Sequence, residues 1–208
     1  MDKHHDNLIV IDFDHTIFNT TKLVLALQKK FLEEFNINEE TFTAHRNKIK
    51  EYNTVIDIEH FVSSFPEKDP ALLFSAMHDV FKMCNESYLF EDVLPFFERH
   101  KDNFDILIST HGDCELQTEK ITHTNLPSYV QHIISTKSKA EILTPFIDMY
   151  NKVYLIEDKA KNIDDVKQTH QSVIAYFIKR PEDMPYGAVE SACECNDHTV
   201  KDLSFTIV

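Results

Sequence analysis

Two aspartates separated by one residue, Asp12 and Asp14, directly follow the apolar run from Leu8 to Ile11. A short apolar run without a polar face predicts a strand that is buried on both sides. Alternation along the strand would point both carboxylates the same way, and open α/β sheets bind ligands at the carboxyl ends of their strands. Like charges this close are costly unless a cation or a shared proton lies between them. The pattern therefore predicts an acidic binding site at a strand end.

Three further predicted strands also end in polar groups that could do chemistry. These groups are Ser109 and Thr110 after the second strand, Lys137 and Lys139 after the third, and Glu157 and Asp158 after the fourth. Because the carboxyl ends of a doubly wound sheet converge on one edge, we expect all of these residues at a single site.

Strands that alternate with helices predict an α/β fold, a Rossmann-like parallel sheet flanked by helices. The predicted strands are Leu8 to Ile11, Phe104 to Thr110, Tyr129 to Ser135, Val153 to Glu157, Val173 to Lys179 and a possible sixth from Leu203 to Val208. The predicted helices are Asn19 or Thr20 to Phe35, Glu40 to Tyr52, Ile56 to Ser63, Pro70 to Ser87, Asp113 to Thr124, Ser138 to Tyr150 and Asn162 to His170, with another beginning near Glu91.

Residues 20–90 contain helical patterns but no convincing strand, which predicts an all-helical subdomain inserted after the first strand. The α/β core would then comprise residues 1–19 and 91–208. Four phenylalanines of the insertion, Phe61, Phe65, Phe74 and Phe81, are expected to form its own hydrophobic core.

The amino-acid composition of the chain narrows the kinds of molecule that it is expected to bind. The net charge of −14 over 208 residues disfavours nucleic-acid binding, since such a surface repels polyphosphate backbones. Two glycines are too few for a Gly-rich phosphate loop, and no apolar run is long enough to cross a membrane. With four cysteines but no CxxC pair, and no apolar signal region near the start, we expect a cytoplasmic protein with reduced thiols. The oligomeric state is not predicted.

The charged groups suggest phosphoryl chemistry. Asp12, Asp14 and Asp158 offer the hard oxygen ligands that Mg²⁺ prefers. One carboxylate can attack phosphorus to form an aspartyl phosphate, while a second protonates the leaving alcohol and then deprotonates water. A hydroxyl and a lysine ammonium would stabilise the charge on the phosphoryl oxygens.

These motifs resemble those of the haloacid dehalogenase superfamily, in the order that the family has them. LIVIDFDHT resembles its first motif, ILIST its second, STKSKAEIL its lysine motif and YLIED its acidic motif. The helical insertion lies where that family carries a helical cap. The resemblance implies that Asp12 is the nucleophile and Asp14 the general acid/base, with Mg²⁺ held by Asp12, the backbone carbonyl of Asp14, and Asp158.

The same resemblance leaves two pairs of alternatives. Thr110 is favoured as the phosphate-binding hydroxyl over Ser109, and Lys139 is favoured over Lys137 as the phosphate-binding lysine. His111 is a further candidate for contacting substrate.

Gln117 is a candidate for contacting substrate as well. The chain also departs from the family pattern, because His15 stands where a glycine usually follows the second aspartate.

The presence of Asp14 limits the types of reaction that we expect. Members of the family that dehalogenate or cleave phosphonates lack an acid/base aspartate at this position. We therefore expect a Mg²⁺-dependent phosphatase that acts on a small-molecule phosphate monoester. The alternatives are a phosphotransferase or phosphomutase, which would use the same groups, and a non-catalytic module that binds a phosphorylated ligand. The identity of the ester is not predicted.

Overall fold

Six parallel strands form one sheet in the order β3-β2-β1-β4-β5-β6 in the computed structural model, which describes residues 3–52, 56–183 and 194–207. The strands are β1 (Asn7–Ile11), β2 (Phe104–His111), β3 (Val130–Ser135), β4 (Lys152–Glu157), β5 (Ile174–Ile178) and β6 (His198–Val200). The predicted Rossmann-like α/β architecture is confirmed.

Strand β1 lies inside the sheet, between β2 and β4, and both of its faces are covered. Leu8 and Val10 pack into the hydrophobic cluster on one face, and Ile9 and Ile11 into the cluster on the other. All four side chains are fully buried. A run without a polar side is what such a strand requires, because neither face meets water.

Eight helices surround the sheet in the described residues. They are α1 (Thr20–Phe35), α2 (Glu39–Tyr52), α3 (Ile58–Ser63), α4 (Pro70–Lys82), α5 (Val93–His100), α6 (Cys114–His123), α7 (Lys139–Ile147) and α8 (Ala160–Thr169). Helices α7 and α8 cover one face through side chains such as Leu143 and Ile163, whereas α5 and α6 cover the other through Phe96 and Ile121.

The predicted sixth strand was wrong in its position. The pairing strand is His198–Val200, and the segment after it packs on α5 instead of on the sheet edge. Arg99 donates hydrogen bonds to the carbonyls of Leu203 and Phe205, and the Ile207 backbone N–H donates to His100 Nε2. Backbone groups satisfied in this way have no need of a strand partner. Val208 lies outside the described residues.

Four predicted helix boundaries were also wrong. Helix α7 ends at Ile147 instead of Tyr150, and helix α8 begins at Ala160 instead of Asn162. Helix α3 begins at Ile58, because Asp57 adopts an extended conformation and caps it by accepting a hydrogen bond from the His60 N–H. Helix α4 ends at Lys82, and a separate 3₁₀ turn (Glu86–Tyr88) follows. Asn85 caps that turn, since its side chain accepts a hydrogen bond from the Ser87 N–H.

Helices α1 to α4 lie between β1 and α5 in the chain, where the insertion was expected. They pack around an aromatic cluster in which Phe31 contacts the rings of Phe42, Phe61 and Phe65. This cluster is continuous with the hydrophobic core on one face of the sheet. The division into a core and a separate cap at residues 20–90 therefore stays a prediction. No described helix is long and apolar enough to cross a membrane.

Arg180, just beyond β5, connects the sheet to the loop after β1. Its Nε donates to the Thr16 carbonyl at 3.0 Å, and its Nη1 lies 2.6 Å from the carboxylate of Asp92, just before α5. The guanidinium also lies 4.3 Å from the centroid of the Phe90 ring. One buried cation therefore fixes three segments that approach the edge of the sheet.

We expect Arg180→Met to lower the free energy of unfolding by about 3–5 kcal/mol, because it leaves the Asp92 carboxylate without its cation. Urea denaturation measures this loss. Arg99→Met is the matched control: Arg99 is exposed, so its loss should cost about 1 kcal/mol. Equal losses in the two variants would contradict the role given to Arg180.

Candidate active site

The ammonium of Lys139 lies at the centre of the cluster formed at the carboxyl edge of the sheet. Its Nζ is 2.5 Å from Asp12 Oδ1, 2.7 Å from Glu157 Oε2 and 2.7 Å from the Ser109 carbonyl oxygen. Lys139, Asp12 and Glu157 are buried, so these charges interact with little screening by water. The residues come from three strand ends and one helix start, as the sequence predicted.

Local structure holds each of these groups in place. Lys139 is the first residue of α7, which Ser138 and Glu141 begin with a complete capping box. The Asp12 backbone N–H donates to the Ile156 carbonyl at 2.9 Å, which continues the β1–β4 pairing by one residue. The nucleophile candidate is therefore held by the sheet itself.

The acidic groups of this cluster do not titrate alike. Burial and the neighbouring charge of Glu157 raise the pKa of Asp12 to about 6, although Lys139 opposes the shift. Burial, together with the charges of Asp12 and Glu157, also raises the pKa of Asp158 well above its ordinary value. The pKa of Glu157 is lowered despite its burial, because Lys139 and Lys159 favour the charged form.

Three carboxylates in the described residues could hold a metal ion together. Asp12, Glu157 and Asp158 each offer an oxygen, and these oxygens lie within 4.8 Å of one another. Asp158 Oδ1 is buried without a hydrogen-bond partner in the described residues. An unsatisfied buried oxygen among like charges fits a hard cation such as Mg²⁺. Glu157 joins the predicted set, and the backbone carbonyl of Asp14 stays a prediction as a ligand.

The Asp14 carboxylate lies apart from that trio and is held by three donors. Thr20 Oγ1 donates to it at 2.6 Å, Gln117 Nε2 at 2.7 Å and Lys120 Nζ at 2.5 Å. Burial alone would raise the pKa of Asp14, but the charge of Lys120 and the hydrogen bonds outweigh it and hold that pKa well below its ordinary value. In this arrangement Asp14 is a carboxylate.

Lys120 was missed by the sequence analysis. It lies on α6, which Asp113 caps by accepting a hydrogen bond from the Leu116 N–H. Its ammonium lies 5.5 Å and 5.3 Å from the ring centroids of Phe13 and Phe18. Those rings stack with centroids 5.0 Å apart, so the loop after β1 provides both the carboxylate and the aromatic surface for this cation. Nothing in the local sequence around Lys120 indicates a buried position.

The observed contacts favour Thr110 over Ser109 as the hydroxyl of the site. Thr110 Oγ1 accepts a hydrogen bond from Gln117 Nε2 at 2.7 Å, and the same amide nitrogen binds Asp14. Ser109 Oγ is buried without a partner among the described residues, although its carbonyl binds Lys139. Gly112 leaves room for this amide, because a Cβ there would lie 3.1 Å from Gln117 Cγ.

The contacts of the remaining sequence candidates, two lysines and a histidine, differ in the structure. Lys137 is exposed, whereas Lys139 is buried against Asp12, so the geometry favours Lys139. The His111 ring forms no hydrogen bond within the described part of the chain, and only its carbonyl accepts a long one, at 3.5 Å from Gln117 Nε2. A substrate contact for His111 stays a prediction.

His15 occupies the position where the family usually has glycine, and the structure shows how the chain tolerates it. Its φ of 62° lies in the left-handed region that favours glycine. The ring makes a close contact with the carboxylate of Asp183, which is fully buried and also accepts a hydrogen bond from the Thr21 N–H. No local signal in the sequence indicates this pairing, because 168 residues separate the two partners.

We expect Lys120→Met to lower the free energy of unfolding by about 3–5 kcal/mol at pH 7, because Asp14 loses its cation in a buried site. The folded state lowers the pKa of Asp14, so the ion pair stabilises the native protein above the ordinary pKa of 3.8 and less as the pH falls below it. The difference between the two proteins should therefore shrink in acid. Urea unfolding between pH 7 and pH 3 measures it.

The control for this comparison is Lys161→Met, which removes an exposed lysine on α8 and should change stability by about 0.5 kcal/mol at most. A difference between native protein and Lys120→Met that is independent of pH would contradict the ion pair with Asp14.

Several known structures share the fold of this chain. A haloacid dehalogenase-like hydrolase from Burkholderia xenovorans LB400 is 16% identical over 96% of both chains, with a TM-score of 0.74. The HAD-hydrolase YfnB from Bacillus subtilis, bound to magnesium, is 15% identical over 97% of this chain and 96% of its own, with a TM-score of 0.64. The L-2-haloacid dehalogenase PA0810 is 14% identical over 95% and 96%, with a TM-score of 0.69.

At these identities the structural likeness shows the fold, and the family follows from the sequence itself. No curated protein matches the chain in sequence. The model of the family described as haloacid dehalogenase-like hydrolase matches residues 9–174, which include all of the strand ends that form the site. The chain therefore belongs to the haloacid dehalogenase-like hydrolases.

Proposed function

We propose that this chain is a Mg²⁺-dependent phosphatase that hydrolyses small-molecule phosphate monoesters through an aspartyl phosphate on Asp12. The observation that supports this most is the pair of carboxylates two residues apart in different settings. Asp12 is buried against Lys139, and Asp14 is held by Thr20, Gln117 and Lys120. Two carboxyl groups with different environments suit a nucleophile and an acid/base.

In the proposed first step, Asp12 Oδ attacks phosphorus and the bond to the leaving oxygen breaks. Lys139 neutralises charge beside the nucleophile, and the Thr110 hydroxyl can donate to a phosphoryl oxygen. A bound Mg²⁺ would be held by Asp12, Glu157 and Asp158 and would supply charge neutralisation for the phosphoryl group.

Asp14 has a different task in each of the two steps. It must carry a proton when the leaving alkoxide departs, and it must be a carboxylate when it deprotonates the attacking water. The contact with Lys120 favours the carboxylate. The proposed first step therefore needs Asp14 protonated in spite of this contact.

Dehalogenation is the competing reaction, since several of the similar structures are haloacid dehalogenases. A departing halide needs no proton, so that reaction needs no general acid, although water must still be deprotonated to hydrolyse the ester formed on Asp12. Here Asp14 engages three side-chain donors, and an acidic trio suited to a hard cation lies at the same edge of the sheet. Both features favour the phosphatase.

The first test compares the native chain with Asp12→Asn on a panel of phosphate esters and 2-haloacids with added Mg²⁺. We expect ester hydrolysis by the native chain and a loss of roughly a thousandfold or more in the variant, because the amide is a poor nucleophile. Asp165→Asn, on the exposed surface of α8, should retain activity.

Other outcomes of this panel have definite meanings. Hydrolysis that survives in Asp12→Asn would contradict the mechanism, and turnover of 2-haloacids alone would establish a dehalogenase. Phosphoryl transfer to an added alcohol in preference to water would indicate a phosphotransferase. Phosphate binding without turnover would leave a binding module.

Mg²⁺ should also stabilise the folded protein. Binding to the trio relieves repulsion between buried carboxylates, and at 100 times the dissociation constant it should raise Tm by roughly 5–10 °C. Thermal unfolding in EDTA and in Mg²⁺ measures the shift. Asp158→Asn should abolish it and Asp165→Asn should retain it; an equal shift in both variants would place the ion elsewhere.

A further inference from the structure

A cavity of about 90 Å³, partly open to solvent, lies between helices α1 to α4 and α6. Nine of its twelve lining residues are apolar, and they include Leu27, Phe61, Met77 and Phe81. Its volume is several times the roughly 10–15 Å³ that one buried water needs, which leaves room for a small group of a few heavy atoms. The surrounding helices thus leave an apolar space unfilled.

Two residues that line the cavity also bind the acid/base candidate. Thr20 and Lys120 line it, and both side chains also bind the Asp14 carboxylate. If Asp14 protonates the leaving oxygen, that oxygen must lie within hydrogen-bond reach of it. The carbon attached to this oxygen then begins beside Thr20 and Lys120, at the wall of the cavity.

The chemistry of the walls selects the group that could fill this space. The Lys120 ammonium is already engaged with Asp14 and with the rings of Phe13 and Phe18. Arg46 is the other charged lining residue. A polyol would lose water at each hydroxyl on entering and would find few partners there, whereas an alkyl or aryl group would gain from the transfer.

We propose that the substrates are phosphate monoesters of apolar alcohols, alkyl or aryl, whose carbon skeleton occupies this cavity. The inference rests on the proposed phosphatase function and adds the class of leaving group to it. Leu23 and Val24 of α1 supply apolar wall close to Thr20, so the first carbons beyond the leaving oxygen meet hydrophobic surface.

The first experiment is an ester series with the native protein and Mg²⁺, comparing ethyl, butyl, hexyl and phenyl phosphate with glycerol phosphate and glucose 6-phosphate. We expect kcat/KM to rise roughly fourfold for each added methylene until the cavity is full. The polyol esters should be the poorest substrates. A kcat/KM that is independent of chain length, or that is highest for the polyol esters, would overturn the inference. The proposed phosphatase function would be unaffected by that result.

A variant that fills the cavity localises the effect. Val24 lines the cavity and is nearly buried, whereas its neighbour Leu25 is 52% exposed. We expect Val24→Phe to lower kcat/KM for hexyl phosphate by roughly 15- to 60-fold and to affect ethyl phosphate little, since it removes the space for two or three methylenes. Leu25→Phe should act like the native chain. Equal losses on both esters in folded Val24→Phe would contradict the location.

Binding of unreactive analogues tests the cavity without any activity. Calorimetry with the native protein should show tighter binding of hexylphosphonate than of methylphosphonate, by a hundredfold or more, from roughly fourfold per methylene. Tighter binding of the hexyl compound without ester turnover would support the cavity and contradict the phosphatase function. Equal binding of the two phosphonates would overturn the inference.

Discussion

The Lys139 ammonium between Asp12, Glu157 and the Ser109 carbonyl is the interaction on which the rest of the site depends. It joins α7 to the ends of β1, β2 and β4, and it does so in a buried place where an unpaired charge would be very costly. The same cation lets two carboxylates stand close together and opposes the rise in the pKa of Asp12 that burial causes. The proposed nucleophile is thus kept out of water and can still be charged.

A second buried cation, Lys120, gives Asp14 an environment different from that of Asp12. Lys120 lies on the face of the sheet opposite to α7, over the stacked rings of Phe13 and Phe18, and pairs with Asp14. Each carboxylate therefore has its own lysine, and the two pKa shifts run in opposite directions. The two pKa values shift differently because the neighbouring groups differ, since both residues are aspartates of one short loop. The contact with Lys120 favours the base form of Asp14 over the acid form that the proposed first step needs.

Much of this could be predicted from the chain, because the signals were local. Apolar runs that end in Asp12, Thr110 and Glu157 predicted the strands, and parallel topology then brought their ends together. What could not be predicted depends on contacts between distant segments. Lys120 resembles any surface lysine of a polar helix, and only the tertiary fold brings it to Asp14, 106 residues away. The C-terminal segment was misread for the same reason, since side chains of α5 satisfy its backbone groups in place of a strand.

The central claim is that Asp12 becomes phosphorylated, and trapping that intermediate tests it most directly. The chain would be mixed with 4-nitrophenyl phosphate and Mg²⁺, quenched in acid within the first turnovers and digested for mass spectrometry. Asp14→Asn would accumulate the intermediate, because this leaving group departs without an acid while the water still needs a base. The account predicts one phosphoryl group on the peptide that carries Asp12, removable by hydroxylamine. Turnover with no phosphorylated peptide, or with the phosphoryl group on another residue, would contradict it.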